Sequence, residues 1–305
     1  MAVKAIDLAY RNPIANYGFQ TLNALGDDAK LRDVLNIDTL NRDLARNGAL
    51  IARGFADDLD EFNETVESFS SRVTKDPARK SSTKSTAEIK AGVCEMGLHR
   101  ENGNLPFCPD LQWFYCLEAA ENGSETTMCD GVQVYQKMNP GLRRMFESKP
   151  VKFDRLIPWQ NVRTFLSVEL EQDFDSVTFA DLDAVNELVP NQKYSIYDSN
   201  LIRSELTISA IATSSFSKRP AFCNSLLGPS VNYEPPVITW ADGSEIPMTA
   251  WDQIRRLTEE LTYDHFWEKG DMVVIDNARV MHGRRHLDDP GRRIFGAQSY
   301  RLGEQ

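Results

Sequence analysis

The sequence predicts a mixed β fold with helices, on three observations. Short segments rich in β-branched and aromatic residues, such as 111–118 and 272–275, have the composition of strands. Amphipathic segments such as 57–73 and 249–263 have helical periodicity. The chain contains no internal repeat and no low-complexity linker long enough to separate domains. Many short strands with inserted helices fit a double-stranded β-helix, or jelly roll, core with a helical insert and flanking helices.

The first helices are predicted from spacing and capping. Leu31, Val34 and Leu35 share one face of a short amphipathic helix over 31–40. Over 57–73, either of two adjacent aspartates provides an N-cap, and the acidic first turn suits the helix dipole. The remaining predicted elements are strand 49–54, strand 111–118, helix 132–146, strands within 150–175, helix 181–188, strand 195–217, helix 249–263, strand 272–275 and strand 293–300.

We predict a single domain over 31–305, preceded by an N-terminal extension, 1–30, that carries no motif. Residues 74–90 are rich in Ser, Thr and Lys and nearly free of apolar side chains, which predicts an exposed segment. Its length is typical of a mobile loop or lid over a site, with a plain surface excursion as the alternative. The insert is expected within about residues 135–265.

Charge and composition argue against several classes of protein. A net charge of −11 disfavours a nucleic-acid surface, which needs clustered Lys and Arg. No apolar run approaches the length of a membrane helix, and the N-terminus lacks the apolar core of a signal peptide. The five cysteines include no C-x-x-C pair and fit a reducing compartment. We therefore expect a cytoplasmic protein that acts on a small molecule, and a homo-oligomer remains open.

Three residues have the types and positions of a metal site. His99 and Glu101 are two residues apart, so on a strand they would project from the same face. His282 follows a short apolar strand far along the chain. Two histidines and one carboxylate form the facial triad that binds non-heme Fe(II) and leaves coordination positions open. These three side chains are therefore the predicted metal ligands and catalytic centre.

Ordered motifs around these residues carry a family resemblance. In chain order they are H-R-E at 99–101, G-S-E-T at 123–126, G-D at 270–271, D-N at 276–277, H-G-R at 282–284 and R-R at 292–293. The set resembles the TauD/TfdA (taurine/α-ketoglutarate dioxygenase) superfamily over roughly residues 40–302. Within it, PAFCNSLLG and ITWADGSEIP look most like the SyrP-type amino-acid hydroxylase branch. The resemblance implies a jelly roll, an Fe(II) centre, 2-oxoglutarate and O₂ as co-substrates, and a D-N pair that supports the strand of the distal histidine.

The resemblance also implies how 2-oxoglutarate is held. Arg293, eleven residues beyond His282, matches the family arginine that pairs with the distal carboxylate, a task suited to a planar guanidinium. Arg292 is its immediate competitor, because neighbouring strand residues face opposite ways and only one of the two points inward. Thr126 matches the family threonine that donates to the same carboxylate.

The substrate is defined less closely. Taurine-type members carry a further arginine where this chain has Ala297, so an amino acid or an amino-acid-derived metabolite is expected before a sulfonate. The expected reaction is hydroxylation of an unactivated C–H bond, with desaturation, cyclisation and epoxidation as alternatives. A zinc hydrolase and a metal-free binding protein on a jelly roll also remain open. The side chains expected to line the substrate pocket are Glu95, Asn102, Asn104, Phe107, Arg163 and Trp240.

Overall fold

The computed structural model describes residues 19–24, 30–55, 58–74, 86–90, 92–229 and 234–302. Most of the predicted N-terminal extension, and residues 75–85 of the predicted loop, lie outside the described residues. Within the extension, Gln20–Asn23 form a strand, and within the loop, Ala87–Glu88 form another. A lid function for the rest of the loop stays a prediction.

Short strands alternate with helices along the described chain. The strands are β1 (Gln20–Asn23), β2 (Ala49–Arg53), β3 (Ser70–Thr74), β4 (Ala87–Glu88), β5 (Met96–His99), β6 (Leu111–Glu118), β7 (Thr126–Asp130), β8 (Val151–Pro158), β9 (Gln192–Ile196), β10 (Leu201–Ile208), β11 (Ile211–Thr213), β12 (Pro220–Phe222), β13 (Val237–Trp240), β14 (Thr262–His265), β15 (Met272–Asp276), β16 (Val280–Arg284) and β17 (Arg293–Arg301). The helices are α1 (Leu31–Val34), α2 (Ile37–Asn47), α3 (Leu59–Ser68), α4 (Gly131–Lys137), α5 (Pro140–Ser148), α6 (Trp159–Glu169), α7 (Ala180–Leu188) and α8 (Met248–Leu261). Among the described residues, no helix has both the length and the apolar character needed to cross a membrane.

Two β-sheets face each other across an apolar cluster. The larger has seven strands, in the order β1-β2-β15-β6-β17-β3 with β4 paired to β17, and the smaller has four, in the order β14-β7-β16-β5. Phe114 and Val273 of the larger sheet, with Met128 and Val280 of the smaller, belong to one buried cluster. The predicted mixed β fold with helices is confirmed, and the two sheets enclose an interior.

Helices α1, α2 and α3 cover the outer face of the larger sheet. Leu40, Leu44 and Phe62 of these helices are buried in one cluster with sheet residues that include Tyr115 and Phe295. Phe62 stacks on Tyr115 with ring centroids 5.3 Å apart. Because one face of this sheet packs on helices and the other on the second sheet, its central strands are apolar on both faces.

The chain between β7 and β14 adds a further layer, in the range predicted for the insert. It contains a four-stranded sheet in the order β13-β8-β10-β9. Helices α6 and α7 pack on one end of this sheet's buried face, whereas α4, α5 and α8 join the other end to the smaller sheet. Phe107, which follows β5, contacts Phe165 of α6 with 6.0 Å between ring centroids. The insert therefore lies against the segment that follows β5.

The strands predicted within 150–175 end earlier than expected. β8 finishes at Pro158, and α6 begins with the next residue. Val162 and Phe165 are both buried on α6, and their spacing of three residues is that of one helix face. The prediction of strand beyond Pro158 was wrong, because an apolar period of three was read as strand.

Helix α3 begins with one of the two predicted caps and ends at Ser68, five residues before the predicted end. The Asp58 carboxylate accepts a hydrogen bond from the Glu61 backbone N–H at 2.9 Å. Substituting Asp58 by alanine should lower the free energy of unfolding by about 1 kcal/mol, because this N–H loses its acceptor. Urea unfolding measures the difference. Asp60→Ala keeps the cap and is the control, and an equal loss in both variants would contradict the capping role.

Candidate metal centre

The two predicted histidine ligands lie side by side at the edge of the smaller sheet. His99 ends β5 and pairs in register with His282 of β16. Their rings are 4.3 Å apart between centroids. Because directly opposed residues of paired strands project from the same face, both imidazoles are directed to one side. The sheet register thus brings the two distant histidines together.

Glu101 reaches the histidines from a turn, and its predicted position on the same strand as His99 was wrong. β5 ends at His99, and residues 101–104, here called the metal turn, form a buried turn after it. The Asn277 side chain accepts a hydrogen bond from Glu101 N–H at 2.9 Å and donates to the Glu101 carbonyl at 3.0 Å. It also donates to the Pro109 carbonyl at 2.8 Å. The D-N motif therefore holds the turn that carries the carboxylate.

The three predicted ligands offer one compact set of donor atoms. One atom each from His99, Glu101 and His282 lie within 4.8 Å of one another, and His282 Nε2 is 3.4 Å from Glu101 Oε2. Nδ1 of His99 lies 2.9 Å from the Gly97 carbonyl, a contact that places the proton on Nδ1 and directs Nε2 to a metal. Two imidazole nitrogens and one carboxylate oxygen are the donor set of non-heme Fe(II) centres with open positions. The residues present fit such an ion.

Apolar side chains border the donor set on its inner side. The Phe114 ring meets the His282 ring edge-on, with centroids 5.1 Å apart. Met128 is the register partner of His282 on β7. Both Phe114 and Met128 are buried. Such a wall keeps bulk water from that side of the metal and strengthens the electrostatic interactions there.

The paired arginines of the R-R motif point in opposite directions. Arg293 has a side chain that is 41% exposed and donates to Glu88 Oε1 at 3.2 Å. Arg292 donates to the Ser124 carbonyl at 2.6 Å. Burial and the nearby Arg284 cation lower the pKa of the Arg292 guanidinium to about 10. A carboxylate bound beside two such cations would offset their repulsion. The geometry therefore favours Arg292 over Arg293 as the residue that faces the interior.

Thr126 lies at the same end of the interior as the two inward arginines. It is buried on β7 and pairs in register with Arg284 of β16. The Thr126 hydroxyl accepts a hydrogen bond from Trp267 Nε1 at 2.9 Å. Arg284 donates to the carbonyls of Gly92 and Cys94, at 2.8 and 2.6 Å, just before β5. Guanidinium groups beside a hydroxyl form a corner suited to a carboxylate.

The structure divides the predicted substrate residues into two groups. Those in or just after the metal turn are Asn102, Asn104 and Phe107. Those with other surroundings are Glu95, Arg163 and Trp240. Glu95 is exposed, Arg163 donates to the Val177 carbonyl within the insert, and Trp240 packs on Phe146. The contacts of Glu95, Arg163 and Trp240 therefore do not bring these side chains to the donor atoms of His99, Glu101 and His282.

Sequence reasoning missed two inward side chains. Arg284 is buried on β16, two residues after His282. Gln298 is buried on β17 and accepts a hydrogen bond from Asn102 Nδ2 at 3.5 Å. Residues at even spacing along a strand share a face. Counting by two from His282 is the signal that would have found Arg284, whereas no local pattern indicates Gln298.

Comparisons with known proteins agree with this geometry. Residues 12–298 match the family described as "Taurine catabolism dioxygenase TauD, TfdA family". The dapdiamide synthesis protein DdaC of Enterobacter agglomerans is 24% identical over 297 residues, which cover 88% of this chain and 87% of that protein. A taurine dioxygenase from Burkholderia xenovorans shares the fold with a TM-score of 0.61 at 12% identity, covering 95% of this chain and 88% of that one. PvcB of Pseudomonas aeruginosa has a TM-score of 0.58 at 14% identity, covering 93% of this chain and 86% of that one.

The facing sheets and the donor set of two histidines and one carboxylate define a candidate non-heme metal centre. The chain belongs to the TauD/TfdA family of dioxygenases, as the match over residues 12–298 shows. It is accordingly an oxidoreductase, and PvcB, which shares the fold, is described as an Fe, alpha-ketoglutarate dependent oxygenase.

Proposed function

We propose that this enzyme hydroxylates an unactivated C–H bond of an amino acid or an amino-acid-derived metabolite, with Fe(II) held by His99, Glu101 and His282. The observation that carries the proposal is the convergence of the three donor atoms within 4.8 Å. Fe(II) with 2-oxoglutarate and O₂ supplies the oxidant for such a bond. The protein's part is to fix the ligands, place the substrate and exclude water.

Strand β17 supports a role for Arg292 in binding 2-oxoglutarate. Gly296 pairs with Phe114, whose ring contacts His282, so Gly296 marks the level of the metal. Arg292 precedes Gly296 by four residues, about 13 Å of strand. An extended arginine side chain and a five-carbon diacid together span a comparable length. We therefore assign the distal carboxylate of 2-oxoglutarate to Arg292, with Thr126 beside it.

The two facing sheets also support a double-stranded β-helix, or jelly roll, as the core of a domain over 31–305. β1 pairs in parallel with β2 at the end of the larger sheet, which attaches part of the N-terminal extension to that core. The insert between β7 and β14 is placed to shape the substrate pocket, because Phe107 after the metal turn packs on α6.

The substrate class rests on one sequence feature and on the relatives. Taurine-type members carry a further arginine four residues after the 2-oxoglutarate arginine, a position that is Gly296 counted from Arg292 and Ala297 counted from Arg293. Neither residue offers a cation to a sulfonate. The name of DdaC assigns that protein to dapdiamide synthesis. PvcB is described as an oxygenase from an isonitrile synthetic pathway. Biosynthesis of a small natural product is the setting that these likenesses favour, with desaturation, cyclisation and epoxidation as alternative outcomes.

Anaerobic titration tests the proposed cofactors directly. Adding Fe(II) and 2-oxoglutarate to the purified protein should produce a weak visible charge-transfer band, because 2-oxoglutarate chelates the iron through open positions. Admitting O₂ should then yield succinate. Zn(II) in place of Fe(II) is the matched control and should give neither signal. Folded protein that binds Fe(II) yet shows no band with 2-oxoglutarate would contradict the proposal.

A further inference from the structure

Three strands of the larger sheet carry polar side chains at one level of its inner face. Phe295 and Ala297 of β17 pack outward among the helices, so Gln298 points inward. Gln298 pairs in register with Gln112 of β6 and with Thr74 of β3. We call Thr74, Gln298 and Gln112 the inner polar row. All three residues are buried, and an apolar cluster lies beside them between the two sheets.

The amides of this region use only part of their hydrogen-bonding capacity. Gln298 is 4% exposed, and the one hydrogen bond of its side chain among the described residues comes from Asn102 Nδ2 at 3.5 Å, the outer limit for such a bond. Gln112 Oε1 and Asn104 Nδ2 are buried without a partner among those residues. Buried amide groups are normally satisfied. Because these buried amides have donors and acceptors that no described residue satisfies, we expect them to face a ligand.

The inner polar row lies beside the metal, on the side away from Arg292. Gly296 marks the metal level through Phe114, and Gln298 is the next inward residue, about 7 Å further along β17. Asn102, which contacts Gln298, directly follows the ligand Glu101. Arg292, just before β17, thus marks the proposed 2-oxoglutarate end of the interior, and Gln298 of β17 marks the opposite end.

A buried cluster closes the interior just beyond the inner polar row. Glu169, the last residue of α6, accepts hydrogen bonds from Thr74 Oγ1 at 2.7 Å, Tyr300 Oη at 2.8 Å and Arg72 at 3.0 Å. Burial raises the pKa of Tyr300, which keeps its hydroxyl protonated as a donor. Glu169 and Arg72 carry opposite charges, so the cluster has no net formal charge to offer a substrate. Tyr300 lies two inward positions beyond Gly296, about 13 Å, which leaves room for a molecule of amino-acid size.

We propose that Gln298 determines specificity and that it recognises an amide group of the substrate. A side-chain amide presents one donor face and one acceptor face, so it pairs with another amide through two complementary hydrogen bonds. A carboxylate or sulfonate could accept a hydrogen bond from Gln298 Nε2, but it has no donor for Gln298 Oε1 or for the unpaired Gln112 Oε1. The neutral cluster around Glu169 also offers it no unpaired cation. This inference rests on the proposed function and narrows its substrate to a small amide-bearing metabolite.

Matched pairs of ligands test the proposal. The probes are L-asparagine with L-aspartate, L-glutamine with L-glutamate, and glycinamide with glycine, titrated calorimetrically into anaerobic protein that holds Fe(II) and 2-oxoglutarate. At least one amide should bind about tenfold or more tightly than its acid, and Gln298→Met should weaken that binding by about tenfold to a hundredfold. Gln172→Met makes the same chemical change at an exposed position and should have no effect.

Two results would overturn the proposal: acids that bind as tightly as amides, or an amide affinity that Gln298→Met leaves unchanged. Absence of binding by all three amides would also overturn it. Gln298→Glu, which keeps the shape and polarity but loses the amide donor, serves if the methionine variant does not fold, and it should weaken amide binding by about tenfold. In each case the charge-transfer band reports separately on the cofactors. If the band appears but no amide binds, this inference is wrong and the proposed function is unaffected.

Discussion

His282→Ala is expected to abolish tight Fe(II) binding. The substitution removes one of three donor atoms from a set that lies within 4.8 Å, and loss of groups that merely orient a metal ligand already costs about tenfold to a hundredfold in affinity. Losing a ligand itself should exceed that range. Fe(II) affinity, measured anaerobically by competition with a coloured chelator, gives the comparison.

The control for this experiment is His286→Ala. His286 has a side chain that is 61% exposed and lies four residues beyond His282, so the same substitution there should leave Fe(II) affinity unchanged. His282→Gln provides a second variant that fills more of the site if the alanine variant is unstable. Retention of wild-type iron affinity by folded His282→Ala would remove this histidine from the metal site.

Arg292→Met is expected to weaken 2-oxoglutarate binding by roughly a hundredfold. A partly buried carboxylate that loses a charged, bidentate partner forfeits about 3 kcal/mol, which corresponds to that factor. Arg292→Lys should recover only part of the loss, because an ammonium cannot reproduce the planar fork. Titration of the visible band with 2-oxoglutarate at saturating Fe(II) gives the dissociation constant.

Arg293→Met is the matched control, since it makes the same change one residue along the chain. Its side chain is 41% exposed and pairs with Glu88, so its removal should alter 2-oxoglutarate affinity by less than about threefold. The opposite ranking, a large loss for Arg293→Met and a small one for Arg292→Met, would restore Arg293 as the cofactor arginine. Equal losses would show that neither guanidinium acts alone.

His99, Glu101 and His282 have residue types that are rare in combination, and the structure brings their donor atoms within 4.8 Å of one another. The two arginines, by contrast, were ranked by distance from His282. Distance along the chain does not give orientation. Ile294 and Phe295 are both apolar and both buried, one towards each face of the larger sheet, so hydropathy does not distinguish inward from outward here. The pairing with β6 also shifts between Arg293 and Ile294, where Leu117 of β6 has no partner on β17, so the sheet register gives no uninterrupted count to the arginines.

Local patterns predicted local elements well and long-range contacts poorly. Strand 111–118 was predicted with the bounds of β6, since its aromatic residues Trp113, Phe114 and Tyr115 favour a strand. The hydrogen bond between Asn277 and Glu101 joins residues that are 176 positions apart. No pattern in either local sequence indicates this contact. Gln298 was missed for the same reason, because its importance comes from Asn102 and from the level of the metal. Such contacts depend on tertiary packing, which no single segment encodes.

The pairing of β5 with β16 has a consequence for how the enzyme is made in the cell. A growing chain carries residue 99 out of the ribosome 183 positions before its counterpart at 282. Contacts this remote form late, after the intervening segments have collapsed. The proposed iron site should therefore assemble only after β16 has emerged from the ribosome, and a nascent chain halted before that strand should not retain the ion.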